Sequence, residues 1–567
     1  MVLDSDWSKS LKWRELSFLV TSVQRYTDGA RLARGPMRRG YVERDSMAAS
    51  DKDVREDEET QEMISSMEME HPSKRGGSLE WLAISSVMTV SIFAGLLGYD
   101  IGVMAGALLP MSRDLSFTST QEEIAVGCLN FVSAAGAIGG GTMYNKLGAV
   151  KCVKIAVVLY AVGMLVIAAS HSFAMVFLGR VIVGLGVGLG FAICPQYIAE
   201  ISPPAWRGVL VSCFEISINL GLCGGYLANL VFIDVSDSPR WRGLMLLPLL
   251  PTALIYVINV PKLPESPRWL LKTPGNEALA RDVLVRTCGE TAAGPALADI
   301  KQVIAQQNAD EENQGDRGKK GWSQLFEEPI ARRALLIGAG TAFFQQANGS
   351  EAAVYYVPQV LKAAGVESER DQLGAAAVVG LCKTVFITVG QFSVDRYGRR
   401  VMLLSSIASV TAALWLLAYC LGAAQAGGSA AGLTLFALCF FMASFSLGMG
   451  PVTWVVTSEI FPLRVRSKGV AFSMAANRIT SGTVAMTFLS LSRWLGAGGA
   501  FSLFACVSAS HFVFTYFLLP ETRGKTLEEI EAALGAGSTR YQRFVNDEEV
   551  ASPSYEANRS GVPIRAP

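Results

Sequence analysis

The sequence has only three histidines, and 17% of its 567 residues are charged, less than a soluble globular chain usually carries. Two of those histidines, His171 and His511, sit at or near the ends of apolar runs without partners in sequence reach. The ten cysteines are scattered, mostly inside apolar runs, without metal-ligand pairs or a disulfide-like framework, and read as small core residues. The 49 basic and 49 acidic residues cancel, so nothing points to a nucleic-acid partner. Glycine-rich runs such as 184–190 lack the lysine of a nucleotide loop. No constellation for covalent chemistry occurs, so neither an enzyme nor a bound cofactor or metal is expected. Residues 1–78 hold no 18-residue apolar run and no secretory h-region.

What the chain has in abundance is apolar runs, at 51% hydrophobic residues. About 20 apolar residues cross a hydrocarbon core of roughly 30 Å. Runs of that length fall at about 82–106, 122–142, 153–173, 176–196, 209–232, 243–260, 334–357, 373–394, 401–423, 432–457, 469–491 and 500–519. The fourth is the best marked: it opens on Arg180 and closes on Glu200, Pro203, Arg207 and Gly208, and its glycines at 184, 186, 188 and 190 predict a surface for close packing of a neighbouring helix. A charge inside a span costs roughly 2.5 to 3.5 kcal/mol, so Arg180 requires a partner or a watery cavity.

Three signals repeat at nearly one displacement. Glu200, Pro203 and Arg207 recur as Glu459, Pro462 and Arg466; Asn145 to Gly148 recurs as Asp395 to Gly398; and Pro264-Glu265-Ser266 recurs as Pro520-Glu521-Thr522. Displacements of 250 to 259 mean two homologous halves, with a substrate path between them. The reading is an all-α membrane protein of twelve transmembrane helices: a disordered cytosolic arm (1–78), a six-helix half (79–260), a central cytosolic linker with short helices (261–332), a second six-helix half (333–520) and a cytosolic tail (521–567). Lys146, Lys151, Lys154, Arg207, Arg396, Arg399, Arg400, Arg464, Arg466 and Lys468 fall in alternate loops on the side of the termini, which the positive-inside rule makes cytosolic. The glycosylation sequons at Asn348 and Asn558 lie in a span and on that same side, so neither is expected to be modified.

Depth can be read from spacing. Asp100 lies about 19 residues into the first span and Arg180 lies 20 residues before Glu200, so both sit roughly 30 Å from the linker-side face. An acid beside a buried arginine releases it on protonation, which makes a two-state element that a proton can bias. Lys383, 12 residues before Asp395, and Arg478, 12 after Arg466, both fall roughly 18 Å in, near mid-membrane.

Taken together, Gly179-Arg180, Pro195, Tyr197 and Glu200, Arg207-Gly208, Pro264 to Trp269, Gln345-Gln346, Asp395 to Arg400, Gly450, Pro451 and Trp454, and Pro520 to Gly524 resemble the sugar porters of the major facilitator superfamily over roughly 80–530. Tyr99-Asp100, Phe214-Glu215-Ile216, Lys383-Thr384 and Asn477 to Gly482 are similar to the plant-type polyol and monosaccharide proton symporters. The resemblance implies the major facilitator fold around a central cavity, proton coupling by Asp100 and Arg180, sugar hydroxyls read by Gln345 and Gln346, and ring stacking near Trp454. Against the glucose-facilitator pattern, Glu215, Glu351, Lys383 and Arg478 stand where a glutamine, two asparagines and a tryptophan are expected, completing the substrate set as two acids and two bases able to neutralise one another. It further implies a cytosolic gate of Glu200, Arg207, Asp395, Arg396, Arg399, Arg400, Glu459 and Arg466. In the N-terminal copy of that gate Asn145, Lys146, Ala149 and Val150 replace Asp, Arg and the arginine pair, so half the charge latch is absent. The expected activity is proton-coupled uptake of a polyol or monosaccharide by a monomer in the lipid bilayer, at the plasma membrane with both termini cytosolic. Facilitated diffusion and a transporter-like sugar sensor are the alternatives.

Overall fold

In hydrocarbon every backbone N–H and C=O must be satisfied within the protein, and for apolar runs of about 20 residues the helix does this within the segment itself. The computed structural model describes residues 80–273, 275–314, 323–426, 430–462, 465–525, 529–531 and 534, and every regular element among them is helical. The expected arm, 1–78, and most of the expected tail lie outside the described residues.

Ten helical runs among the described residues are long and apolar enough to cross a membrane. Before the linker come α1 (Trp81–Leu115), α2 (Ser119–Leu147), α3 (Ala149–Ala168), α4 (Phe173–Ile201), α5 (Arg207–Val231) and α6 (Asp237–Lys262). The linker carries α7 (Pro267–Lys272), α8 (Glu277–Cys288), α9 (Glu290–Gln314) and α10 (Ser323–Glu327). Beyond it lie α11 (Pro329–Ala347), α12 (Ser350–Tyr355), α13 (Val357–Ala363), α14 (Glu369–Tyr397), α15 (Arg399–Gln425), α16 (Ala431–Glu459) and α17 (Arg466–Leu518). The expected seventh span is broken after Ala347, where Gly349 takes φ +82°, and again at Tyr356. The expected eleventh and twelfth run together as α17, which changes direction at Gly496 (φ 76°, ψ 158°). In the linker α8 spans 12 residues, whereas α9, at 25 residues, is longer than the short helices expected there.

Close approach of small residues holds the helices together. A Cβ on Gly98 of α1 would lie 1.8 Å from the Ile218 carbonyl oxygen of α5, and one on Gly221 would lie 1.8 Å from that of Gly95. The α4 glycines serve three neighbours rather than the single surface expected. Gly184 and Gly188 face Leu129 and Ser133 of α2, Gly186 faces Ala156 and Tyr160 of α3, and Gly190 faces Phe93 and Leu97 of α1. At 3.6 residues per turn, positions two apart point to opposite sides of the helix, so α4 is packed from several directions.

The two sets of helices are tied together at the ends away from the linker. Arg240 meets Glu369 at 2.8 Å, Arg370 meets Asp234 at 2.8 Å, and the Tyr226 hydroxyl donates to the Val354 carbonyl at 2.6 Å. Between the sets lies a cavity whose wall reaches Gly141, Gln196, Ser458 and Ser467, at or near the linker-side ends of α2, α4, α16 and α17. It opens to the linker side.

Candidate functional site

α1 and α4 bring Asp100 and Arg180 to one depth, as their spacing requires. Arg180 Nη1 stands 2.8 and 2.9 Å from the two Asp100 carboxylate oxygens. Arg180 Nε donates to the Ala125 carbonyl at 2.8 Å and Nη2 to that of Val126 at 3.3 Å, both on α2. Asp100 is 1% exposed and Arg180 fully buried. This hydrogen-bond set offsets the desolvation of two charges. The pair stands beside the cavity without lining it, since the wall begins at Ile101. Neutralising Asp100 would leave a buried guanidinium short of its counter-charge, a cost of about 3–5 kcal/mol.

The cavity measures about 660 Å³, within the range of about 300–1,000 Å³ for small-molecule sites. Its wall takes Glu215 from α5, Gln345 and Gln346 from α11, Glu351 from α12, Lys383 from α14, Trp454 from α16 and Arg478 from α17. The tertiary structure thus gathers every residue nominated for substrate contact around one space. Among the described residues no ion pair links Glu215, Glu351, Lys383 and Arg478; they act on one another across the cavity. Such groups can form charge-assisted bonds to a hydroxylated ligand lying between them. Arg478 is the most constrained: Nε and Nη2 donate to Asn477 Oδ1 at 3.1 and 2.7 Å, and its guanidinium lies 5.2 Å from the Phe191 ring of α4.

The adjacent glutamines are placed differently. Gln345 Nε2 donates to the Met449 and Gly450 carbonyls at 2.9 and 3.1 Å, and its Oε1 accepts from Asn477 Nδ2 at 2.8 Å. Its amide therefore pins α11 to the junction where the π-helical turn Phe445–Met449 gives way to α-helix in α16. Gln346 makes only long contacts, 3.4 Å to Asn477 Oδ1 and 3.5 Å from the Ser350 hydroxyl, and is the freer of the two toward a ligand.

The gate residues gather at two nodes on the linker side. In the first, Glu200 accepts from the Tyr144 and Ser266 hydroxyls, and from Gln196 Nε2 at 3.0 Å. Arg207 is exposed at the start of α5. In the second, Glu459 accepts from Arg399 Nη2 at 3.2 Å and from the Thr522 hydroxyl at 2.6 Å. Arg400 Nη2 donates to the Tyr516 carbonyl at 2.6 Å and Arg466 Nε to that of Phe461 at 3.3 Å. Arg396 is engaged near the end of α14, while the Asp395 side chain lies outside the described atoms. None of these hydrogen bonds joins one node to the other. Beside the first node, Glu265 accepts the Ala149 and Ser266 backbone N–H groups at 2.7 and 3.0 Å. Burial and the neighbouring Glu200 hold its carboxyl above the usual carboxylate range, against backbone donors that pull it down.

Sequence reasoning does not nominate Asn477, which ties Gln345, Gln346 and Arg478 together, or Phe191. For Asn477 a signal existed, an amide directly before a mid-membrane arginine; Phe191 is one of 27 phenylalanines with nothing to mark it.

With this geometry in hand, comparison with known proteins places the chain. The profile of the family described as sugar (and other) transporter matches residues 86–534. The chain is 40% identical over 461 residues to probable polyol transporter 4 of Arabidopsis thaliana, covering 80% of this chain and 86% of that one. It is 32% identical over 455 residues to the galactose-proton symporter of Escherichia coli (strain K12), covering 80% and 94%. Its fold superposes on the inward-open xylose transporter of E. coli with a TM-score of 0.66 at 26% identity, covering 79% of this chain and 99% of that one. Two sets of apolar helices around a cavity that carries charged and amide side chains, matched along most of their length, make this multi-pass membrane protein a member of the sugar transporter family.

Proposed function

We propose that the protein takes up polyols or monosaccharides together with protons by alternating access, as a monomer in the plasma membrane with both termini cytosolic. The observation that carries this reading is the buried Asp100–Arg180 pair beside a cavity that holds Glu215, Glu351, Lys383 and Arg478 and reaches the linker-side helix ends. Relatives named as polyol transporters and as a galactose-proton symporter support it. The lysines and arginines of the linker-side loops support a cytosolic position for that side, and on this reading the structure is the inward-facing state.

In the cycle Asp100 takes a proton while the outer side is open, and Arg180 loses its counter-charge. Ligand hydroxyls then bind to Gln346, Glu215, Glu351, Lys383 and Arg478, with Trp454 against the apolar face and Gln345 holding the wall. Charged partners bond whichever hydroxyls a ligand presents, so linear polyols and sugar rings are both accepted. Rocking of the halves exposes the cavity to the cytosol, where loss of the proton restores the pair. An inward-negative potential of 100 mV contributes about 2.3 kcal/mol per proton.

The test is uptake of labelled sorbitol and glucose into proteoliposomes under an imposed proton gradient, with and without a protonophore. Wild type is expected to accumulate substrate above equilibrium only with the gradient. Asp100→Asn is expected to lose accumulation at least tenfold while retaining exchange. A mutant that still concentrates substrate places the coupling elsewhere.

A further inference from the structure

Glu123 lies near the outer start of α2 and is only 4% exposed. It has no role in the cavity, the Asp100–Arg180 pair or the linker-side nodes. Its Oε1 accepts the Ser490 backbone N–H at 2.5 Å and its Oε2 the Ser490 hydroxyl at 2.8 Å, both from α17 of the other half. Arg493 Nη2 stands 4.0 Å from the same carboxylate and donates to the Ser490 hydroxyl oxygen at 3.0 Å. The other charged or titratable groups nearby belong elsewhere. Glu122 accepts the Ser112 hydroxyl at 2.5 Å, and the Tyr356 phenol donates to the Ala485 carbonyl at 3.0 Å.

Further in, the same two helices close tightly on each other. A Cβ on Gly127 would lie 2.1 Å from Met486 Cγ, and one on Gly482 would lie 2.7 Å from Phe131 Cδ2. Glu123 therefore fastens the outer end of the α2–α17 seam, which must part for a ligand to enter from outside. Once the seam parts, water replaces Ser490 and Arg493 as its partners. A bond made in one of two states biases the equilibrium by its own free energy.

We propose that Glu123 is a positioning residue for transport: its carboxylate, clasping Ser490 and Arg493 across the halves, sets the share of molecules facing inward and hence the apparent affinity on each side. This rests on the alternating-access reading above. Charge-assisted bonds of this kind change an equilibrium by about tenfold or more.

Two measurements test it, on the full chain in proteoliposomes. The first, hydrogen–deuterium exchange, needs no substrate. Glu123→Ala is expected to raise exchange not only at 119–126 and 486–494 but also at the distant outer ties around Asp234–Arg370 and Arg240–Glu369, while lowering it near Gln196 and Ser458 at the cavity mouth. Glu123→Gln, which keeps an acceptor but not the charge, is expected to fall between, and it carries the test if the alanine variant does not fold. Glu122→Gln is expected to change only its own surroundings. The second measurement is half-saturation for labelled sorbitol or glucose from each side. The outer value is expected to fall and the inner to rise, together by about tenfold for the alanine variant. A rise in exchange confined to the two touching segments, or half-saturation values that stay put or move in the same direction, overturns the proposal. Absence of polyol or sugar uptake in wild type would overturn the transport reading, with the exchange pattern still deciding whether Glu123 holds the seam.

Discussion

The two linker-side nodes share one backbone scaffold and differ in what surrounds the central carboxylate. In both, a glycine in a conformation that other residues scarcely adopt links two helices: Gly148 at φ 84°, ψ 168° and Gly398 at φ 88°, ψ 154°. In both, a carboxylate about 120 residues on caps the helix that follows, Glu265 on Ala149 and Val150 and Glu521 on Arg399 and Arg400. The partners of the glutamate then diverge. Glu200 is satisfied by neutral hydroxyl and amide groups, whereas Glu459 is held by the Arg399 guanidinium and the Thr522 hydroxyl. Neutral donors satisfy a carboxylate with weaker bonds than a cation does, and the arginine bonded to the central glutamate, Arg399 on Glu459, belongs to the second node, whereas Arg207 of the first stands exposed. The repeat has kept the capping geometry in both copies and the arginine–glutamate bond in one.

The strongest way to break this comparison is to attack what the nodes share. Gly148→Ala and Gly398→Ala are each expected to destabilise by about 2–3 kcal/mol from backbone strain alone. The first should be the worse, because its Cβ would stand 2.5 Å from the Glu265 carboxylate against 3.0 Å from that of Glu521. Denaturation midpoints in detergent check both, and equal tolerance of alanine would remove the shared scaffold. Next come the partners that differ. Arg399→Ala is expected to cost about 1–2 kcal/mol and to slow transport several-fold, whereas Tyr144→Phe leaves Glu200 its other donors and is expected to cost about 1 kcal/mol with transport nearly unchanged. Uptake rate per inserted molecule separates them, and equal slowing would mean that both nodes act alike. The smallest effect sharpens the likeness: Glu265→Gln and Glu521→Gln are expected to cost about 0.5–1 kcal/mol each, the same within error. A large difference between them would show that the caps do not carry equivalent loads.

Much of this arrangement was legible beforehand because helices convert sequence spacing into depth. At 1.5 Å per residue the distance from a helix end to a charge is known once the span is recognised, and Asp100 and Arg180 accordingly meet. The repeat displacement foretold that Glu265 and Glu521 occupy like places. Direction around the helix was harder. The α4 glycines face three helices, and Gln345 turns its amide to the α16 backbone while Gln346 stays nearly free, although the two are adjacent in sequence and alike in type. The four charges line one cavity, but that no ion pair among the described residues links them depends on separations across it, which spacing along a helix does not give.

The sequence by itself determined that the chain spans a membrane repeatedly, that it repeats itself, and how deep each buried charge lies, because hydropathy, internal likeness and helical rise are properties of one segment at a time. Which groups satisfy one another was decided only by the tertiary structure: Asn477 as the hub of an amide cluster, Phe191 under Arg478, Glu123 fastened to Ser490, and Glu200 held by neutral hydroxyl and amide donors. The physical reason is that a hydrogen bond between helices depends on the rotation and separation of both within a few tenths of an ångström, and those are set jointly by every other contact the two helices make.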